Sequence, residues 1–174
     1  MSQLDTTDLL GDGLYRDAMI SSCGTYRYSL VRRWDQSKPY LPFVMLNPST
    51  ADATTDDPTI RRCVSFAKRE DAGGVVVVNL YALRATDPKR LREVDDPVGP
   101  LNGRVIYDAA MVAAEADMPV ICAWGVNDIT QAAGGALAQA REAGARTMCL
   151  GKTTEGHPRH PLYVKGDQPL EPYP

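Results

Sequence analysis

The chain has 174 residues, 44% hydrophobic and 24% charged, with a formal net charge of −3. That length suits one compact domain of the usual ~100–150 residue class, and its composition excludes disorder, collagen and coiled coil. Nineteen Lys and Arg against 22 Asp and Glu leave no basic excess of the kind that phosphate-gripping proteins show, so charge neither announces nor excludes nucleic acid.

In chain order, the opening stretch Met1 to Leu10 carries Asp5 and Asp8 without a basic n-region, unlike a signal peptide. Residues 1–14 are expected to be a flexible segment ahead of a single domain over 15–174. Tyr26, Tyr28, Leu30 and Arg32 alternate with Arg27, Ser29, Val31 and Arg33, and with the turn Ser22-Cys23-Gly24 this predicts an antiparallel strand pair. Pro39 and Pro42 precede the apolar run Phe43 to Leu46, a strand that stops at Asn47-Pro48. Asp57-Pro58 reads as a helix start, an N-cap acid followed by proline at the first helical position. Ile60, Cys63, Val64 and Ala67 then recur at helical spacing.

Gly73-Gly74 ends that helix, and Val75 to Val78 is a strand covered on both faces, stopping at Asn79. Leu80 to Gly99 reads as a long functional loop. A helical stripe follows from Leu101 to Val112, then a strand from Pro119 to Ala123 ending at Trp124-Gly125-Val126-Asn127. Ile129 to Ala143 is expected to be helical despite Gly134-Gly135, and Arg146 to Leu150 to be a strand. Gly151 to Pro174 reads as loop, with a short strand or turn around Leu162 to Val164. Strands alternating with helices predict an α/β fold, a sandwich with a mainly parallel central sheet, plus the N-terminal antiparallel strand pair.

Four cysteines, Cys23, Cys63, Cys122 and Cys149, form no C-x-x-C pair and no zinc or iron–sulfur spacing, so neither metal nor cofactor is expected. No apolar run approaches the ~20 residues that span a bilayer, and the expectation is a cytoplasmic protein with no membrane partner. Nucleophile-elbow, phosphate-loop, dinucleotide and zinc-protease motifs are missing from the chain.

In an open parallel sheet, ligands bind at the carboxyl ends of the strands. Those ends gather Asn47-Pro48-Ser49-Thr50, Asn79-Leu80-Tyr81, Trp124 to Asn127, and Gly156-His157-Pro158-Arg159-His160, where both histidines of the chain lie. Any one of these residues suits a turn, a wall or a solvated surface; together they converge on one edge of the sheet. Amide and imidazole groups suit a heterocycle read by its hydrogen-bonding edge, because asparagine offers a donor and an acceptor and histidine can stabilise negative charge on a departing base.

The segments Asn47 to Asp52, Asp57 to Arg62, Asn79 to Pro88 and Gly156 to Tyr163 resemble the domain of unknown function 1643 family, from about Tyr26 onward. A more distant resemblance is to the uracil-DNA glycosylase superfamily, which implies a three-layer α/β/α sandwich with a mainly parallel central sheet. Met45-Leu46-Asn47-Pro48 is similar to its Gly-x-Asn-Pro first motif, with Met45 in place of glycine. Val77-Val78-Asn79 looks like its pyrimidine-reading strand end, and Ala123-Trp124-Gly125 like a later strand end. His157-Pro158-Arg159-His160-Pro161-Leu162 resembles its His-Pro-Ser-Pro-Leu motif with one extra residue and a second histidine.

This second resemblance implies cleavage of the N-glycosidic bond of a pyrimidine-like base in DNA or a nucleotide, without metal. Asn47 would orient water, with Asp52 or Asp57 as acidic helper, and His157 or His160 would stabilise the leaving base. Pro48, Ser49, Asn79, Tyr81, Trp124 and Asn127 would bind substrate, while Arg61, Arg62, Arg84 and Arg159 would contact nucleic acid. The alternatives are a non-catalytic module that binds nucleotides or modified DNA, and an enzyme acting on free nucleosides or nucleotides.

Overall fold

The computed structural model describes residues 14–49, 51, 53–128 and 131–174. Nearly all of the expected flexible segment 1–14 lies outside them, as do Thr50 and Asp52. The described strands are β1 (Tyr15–Ile20), β2 (Arg27–Arg33), β3 (Tyr40–Met45), β4 (Gly74–Asn79), β5 (Val120–Cys122), β6 (Thr147–Cys149) and β7 (Glu171–Pro172). The described helices are α1 (Pro58–Arg69), α2 (Asn102–Glu115) and α3 (Ala132–Glu142).

The seven strands form one sheet in the order β1-β2-β4-β3-β5-β6-β7. Its central block β4-β3-β5-β6 is parallel. The junctions β1–β2, β2–β4 and β6–β7 are antiparallel. The fold is therefore mixed α/β, and the expectation of a mainly parallel sheet is corrected: more of the registered pairing is antiparallel than parallel. The reason is long-range. The N-terminal hairpin joins the sheet directly, pairing Leu30 with Val77 and Arg33 with Gly74. The C-terminus folds back to add β7, which no periodicity announced.

Two apolar clusters flank the sheet. Leu41, Phe43, Met45, Val75 and Val77 meet Ile60, Cys63, Phe66 and Ala67 of α1. Val44, Leu46 and Val78 meet Ile106, Ala109, Ala110 and Ala113 of α2 and Ala136 and Ala140 of α3. Alternation along β3 thus sends neighbouring side chains to opposite clusters, as the two-residue strand period requires. The strand begins at Tyr40 rather than after Pro42; that proline pairs with Val76 one residue before β5 joins at Phe43.

Helix α1 starts as the Asp57-Pro58 pair predicts: the Asp57 carboxylate accepts from the Ile60 N–H at 2.9 Å. The loop Leu80 to Gly99 contains the 3₁₀ turn Pro88–Arg92, and the expected turn near Leu162 is a second one, Pro161–Tyr163. Cys63, Cys122 and Cys149 are buried free thiols, while Cys23 is exposed. Among the described residues, no helix is long and apolar enough to cross a membrane.

Gly134 and Gly135 lie inside α3, and an added Cβ at either meets nothing within 4 Å. Gly134→Ala and Gly135→Ala should each raise stability by about 0.5–1 kcal/mol in urea denaturation. Phe43→Ala, at a fully buried position, should lower it by about 3–5 kcal/mol.

Candidate functional site

The parallel block brings the strand ends together. Past β3 and β4 the ladder continues, the Leu80 N–H donating to the Met45 carbonyl at 2.9 Å and the Tyr81 N–H to the Leu46 carbonyl at 3.0 Å. Met45 is in register with Asn79, so Asn47 and Asn79 leave the sheet at the same edge. On the other side of β3, the Ala123 N–H donates to the Val44 carbonyl at 2.9 Å, which sets Trp124 and Gly125 beside them. Chain order reverses here, since β3 is followed by β4 on one side and later by β5 on the other. Such a switch point opens a crevice in α/β sheets.

His160 reaches this edge through a small hairpin. Lys152 bridges Pro158 in antiparallel pairing, and the Arg159 N–H returns to the Gly151 carbonyl at 2.9 Å. The Gly125 N–H donates to the Pro158 carbonyl at 3.0 Å, and Gly125 adopts a φ of 77°, a conformation that favours glycine. The Arg62 guanidinium then docks the following turn on α1, donating to the carbonyls of Pro161 at 3.2 Å and Val164 at 2.6 Å.

These ends enclose a cavity of about 620 Å³, within the usual range for small-ligand sites. Asn47, Ser49, Asn79, Trp124, Asn127, Arg159 and His160 all line it. Other expected residues stand elsewhere. Pro48 is buried, and its carbonyl accepts from Asn47 and from the Ala85 N–H. Tyr81 is buried and donates its hydroxyl to Asp128 at 2.6 Å, tying β4 to the start of α3. His157 lies 3.8 Å from Glu155 and outside the cavity lining. Arg61 is exposed and bonded to the Asp56 carbonyl, Arg62 holds the turn, and Arg84 lines a neighbouring cavity. Asp52 falls outside the described residues.

Four polar groups give the cavity its character. Asn79 is 1% exposed, and its Nδ2 makes no hydrogen bond among the described residues. A buried amide donor without a partner costs about 1–3 kcal/mol, so this one is a strong pointer to a ligand or ordered water. Asn47 spends its Nδ2 on the carbonyls of Ala85 at 2.7 Å and Pro48 at 3.0 Å, leaving Oδ1 as the acceptor. His160 accepts the Leu162 N–H on Nδ1 at 3.2 Å, so the neutral ring carries its proton on Nε2. Asp57 accepts from Ile60 on one oxygen and from the Ser49 hydroxyl, at 2.6 Å, on the other.

Two further residues escaped the sequence reading. Arg27 lines the cavity at 2% exposure and donates to the Ala51 carbonyl. Asn102, fully buried at the start of α2, donates to the carbonyls of Asn79 at 2.8 Å and Leu80 at 3.0 Å, bracing the peptide that carries the Asn79 amide. The one signal for Asn102 was a polar residue opening an otherwise apolar helical stripe. Arg27 gave none, because a strand arginine reads as solvated. Among the described residues, no group of three or more His, Cys, Asp or Glu could hold a metal ion.

The chain belongs to the family described as Protein of unknown function (DUF1643), whose model matches residues 27–162. That span contains every cavity-lining strand end from Met45 to His160. No curated protein and no solved structure matches the chain.

Burial holds the His160 imidazole below its ordinary pKa of 6.5, with the Asp57 carboxylate pulling the other way. The folded protein therefore binds this proton less readily than the unfolded chain. Stability from this group is present above the unfolded value and is lost as pH falls through and below it. In an NMR titration the His160 midpoint should lie below 6.5. The stability gap between wild type and His160→Asn should shift in favour of the variant on acidification; an unchanged gap would contradict the burial argument.

Proposed function

We propose that the cavity holds a pyrimidine-like base and that the protein cleaves its N-glycosidic bond, the base being carried in DNA or in a nucleotide. The observation that carries this reading is the unpartnered, buried Asn79 Nδ2 on the cavity wall. A planar heterocycle with a carbonyl on its edge supplies the acceptor this donor lacks. The lining also has an aromatic member: Trp124 packs in a T-shaped pair with Tyr173, ring centroids 5.5 Å apart. A uracil-DNA glycosylase-like sandwich is the architecture this reading favours, on the strength of the motif resemblance at Asn47, Asn79 and His160.

In the reaction, a water oxygen forms the new bond to the sugar carbon while the carbon–nitrogen bond breaks and its electron pair leaves with the base. Asn47 Oδ1 orients the water by accepting one of its hydrogens. The His160 Nε2–H donates to the oxygen on which negative charge develops; a neutral imidazole does this without a proton transfer. The water loses a proton to solvent, and the departing base takes one up. Ser49 and Asp57 both line the cavity, and the bond between them ties the loop after Asn47 to the start of α1. If the substrate is duplex DNA, the base must first leave the stack, at a cost of a few kcal/mol.

Oligonucleotides and nucleotides carrying uracil, hydroxymethyluracil and other modified pyrimidines, incubated with the protein, should yield free base detectable by mass spectrometry. Asn47→Ala, Asn79→Ala and His160→Ala should each lower release by about 100-fold or more, with the melting temperature moved by only a few degrees. Base binding without release from any substrate would make the protein a reader of bases rather than an enzyme; variants that merely unfold would remove the site assignment.

A further inference from the structure

A second cavity, of about 590 Å³, lies against the first and shares Ser49, Ala85 and Thr86 with it. Its character is different. Arg84 and Arg90 both line it, as do the hydroxyl residues Thr25 and Thr86, and among the described residues no carboxylate does. Arg84 spends one guanidinium nitrogen on the Gly24 carbonyl at 3.1 Å, which fixes the side chain and leaves the rest of its fork for a ligand. Arg90 meets Glu93 through Nε at 3.2 Å, an exposed ion pair of the weak kind that exchanges readily for a stronger anion.

The Arg84 N–H donates to the Thr25 carbonyl at 3.0 Å, and Tyr26 bridges Leu83, so the β1–β2 turn and the segment after β4 form one rigid wall. The main cavity, in contrast, gathers the amides and the imidazole, with the Asp57 carboxylate in the same lining as Arg27 and Arg159. A pocket of amides, imidazole and mixed charge that opens beside one lined by two arginines matches a ligand with a heterocycle at one end and a phosphate at the other.

We infer that the second cavity is the phosphate subsite of the same ligand, with Arg84 and Arg90 as its anion-binding residues. This rests on the reading of the main cavity as a base pocket. Guanidinium groups suit the phosphate through paired N–H donors, and the Thr25 and Thr86 hydroxyls supply further donors. The phosphate can belong to a mononucleotide or to a strand.

The test uses three probes on the intact chain: a uracil-centred pentanucleotide, the same pentanucleotide with a tetrahydrofuran abasic centre, and deoxyuridine monophosphate. Wild type is compared with the Arg84→Gln/Arg90→Gln double variant, whose side chains are exposed and whose melting temperature should be unchanged. Both pentanucleotides should bind the variant at least about tenfold more weakly, and the salt dependence should flatten by roughly 0.7 per lost phosphate contact.

A loss for both pentanucleotides but not for the mononucleotide assigns the subsite to a strand; a loss for the mononucleotide assigns it to a terminal phosphate. Equal affinities of wild type and variant for all three probes would overturn the proposal. The base reading is judged separately, by whether the uracil pentanucleotide binds more tightly than the abasic one in both proteins.

Discussion

The parallel pairing of β3 with β4, carried two hydrogen bonds past the strand ends, is the constraint on which the site depends. It places Asn47 and Asn79 on one edge, and the buried Asn102 amide then clamps the Asn79 and Leu80 carbonyls from α2. Because successive β3 side chains feed opposite apolar clusters, a one-residue slip would send each of them into the cluster packed for its neighbour. The core therefore locks the register, and the register locks the spacing of the two asparagines. An unpartnered buried donor persists here because its surroundings over-determine its position.

The electrostatics divide along the same edge. The main cavity combines amides, an imidazole kept neutral by burial, a carboxylate already satisfied by a helix N-terminus and a serine, and the arginines Arg27 and Arg159. The adjoining cavity carries two arginines, Arg84 held by the Gly24 carbonyl and Arg90 by the exposed Glu93. A chain with net charge −3 thus carries a local pair of arginines that bulk charge arithmetic conceals.

Much of the frame was legible in the residues. Asp57-Pro58 opened α1 at its true first residue, the valine run marked β4, and the asparagines at two strand ends both line the cavity. What failed was long-range. Neither the antiparallel joining of β2 to β4 nor the two-residue β7 leaves a local signal, so the sheet read as more parallel than it is. Pro42 read as punctuation although it sits inside β3. Arg62 was expected to contact nucleic acid; its guanidinium holds the turn after His160 through carbonyls about a hundred residues away in sequence. Of the two histidines, spacing could not choose; the hairpin does, bringing His160 to the cavity and leaving His157 beside Glu155.

The central claim is that the Asn79 side-chain amide is a donor waiting for a base. The most direct measurement is the ¹⁵N-edited NMR spectrum of that amide during titration with free uracil, thymine and cytosine. A pyrimidine that accepts its hydrogen bond should move the Asn79 amide protons downfield and slow their exchange with water. An Asn79 resonance unmoved by all three, in a protein whose other cavity resonances are equally still, would contradict the account.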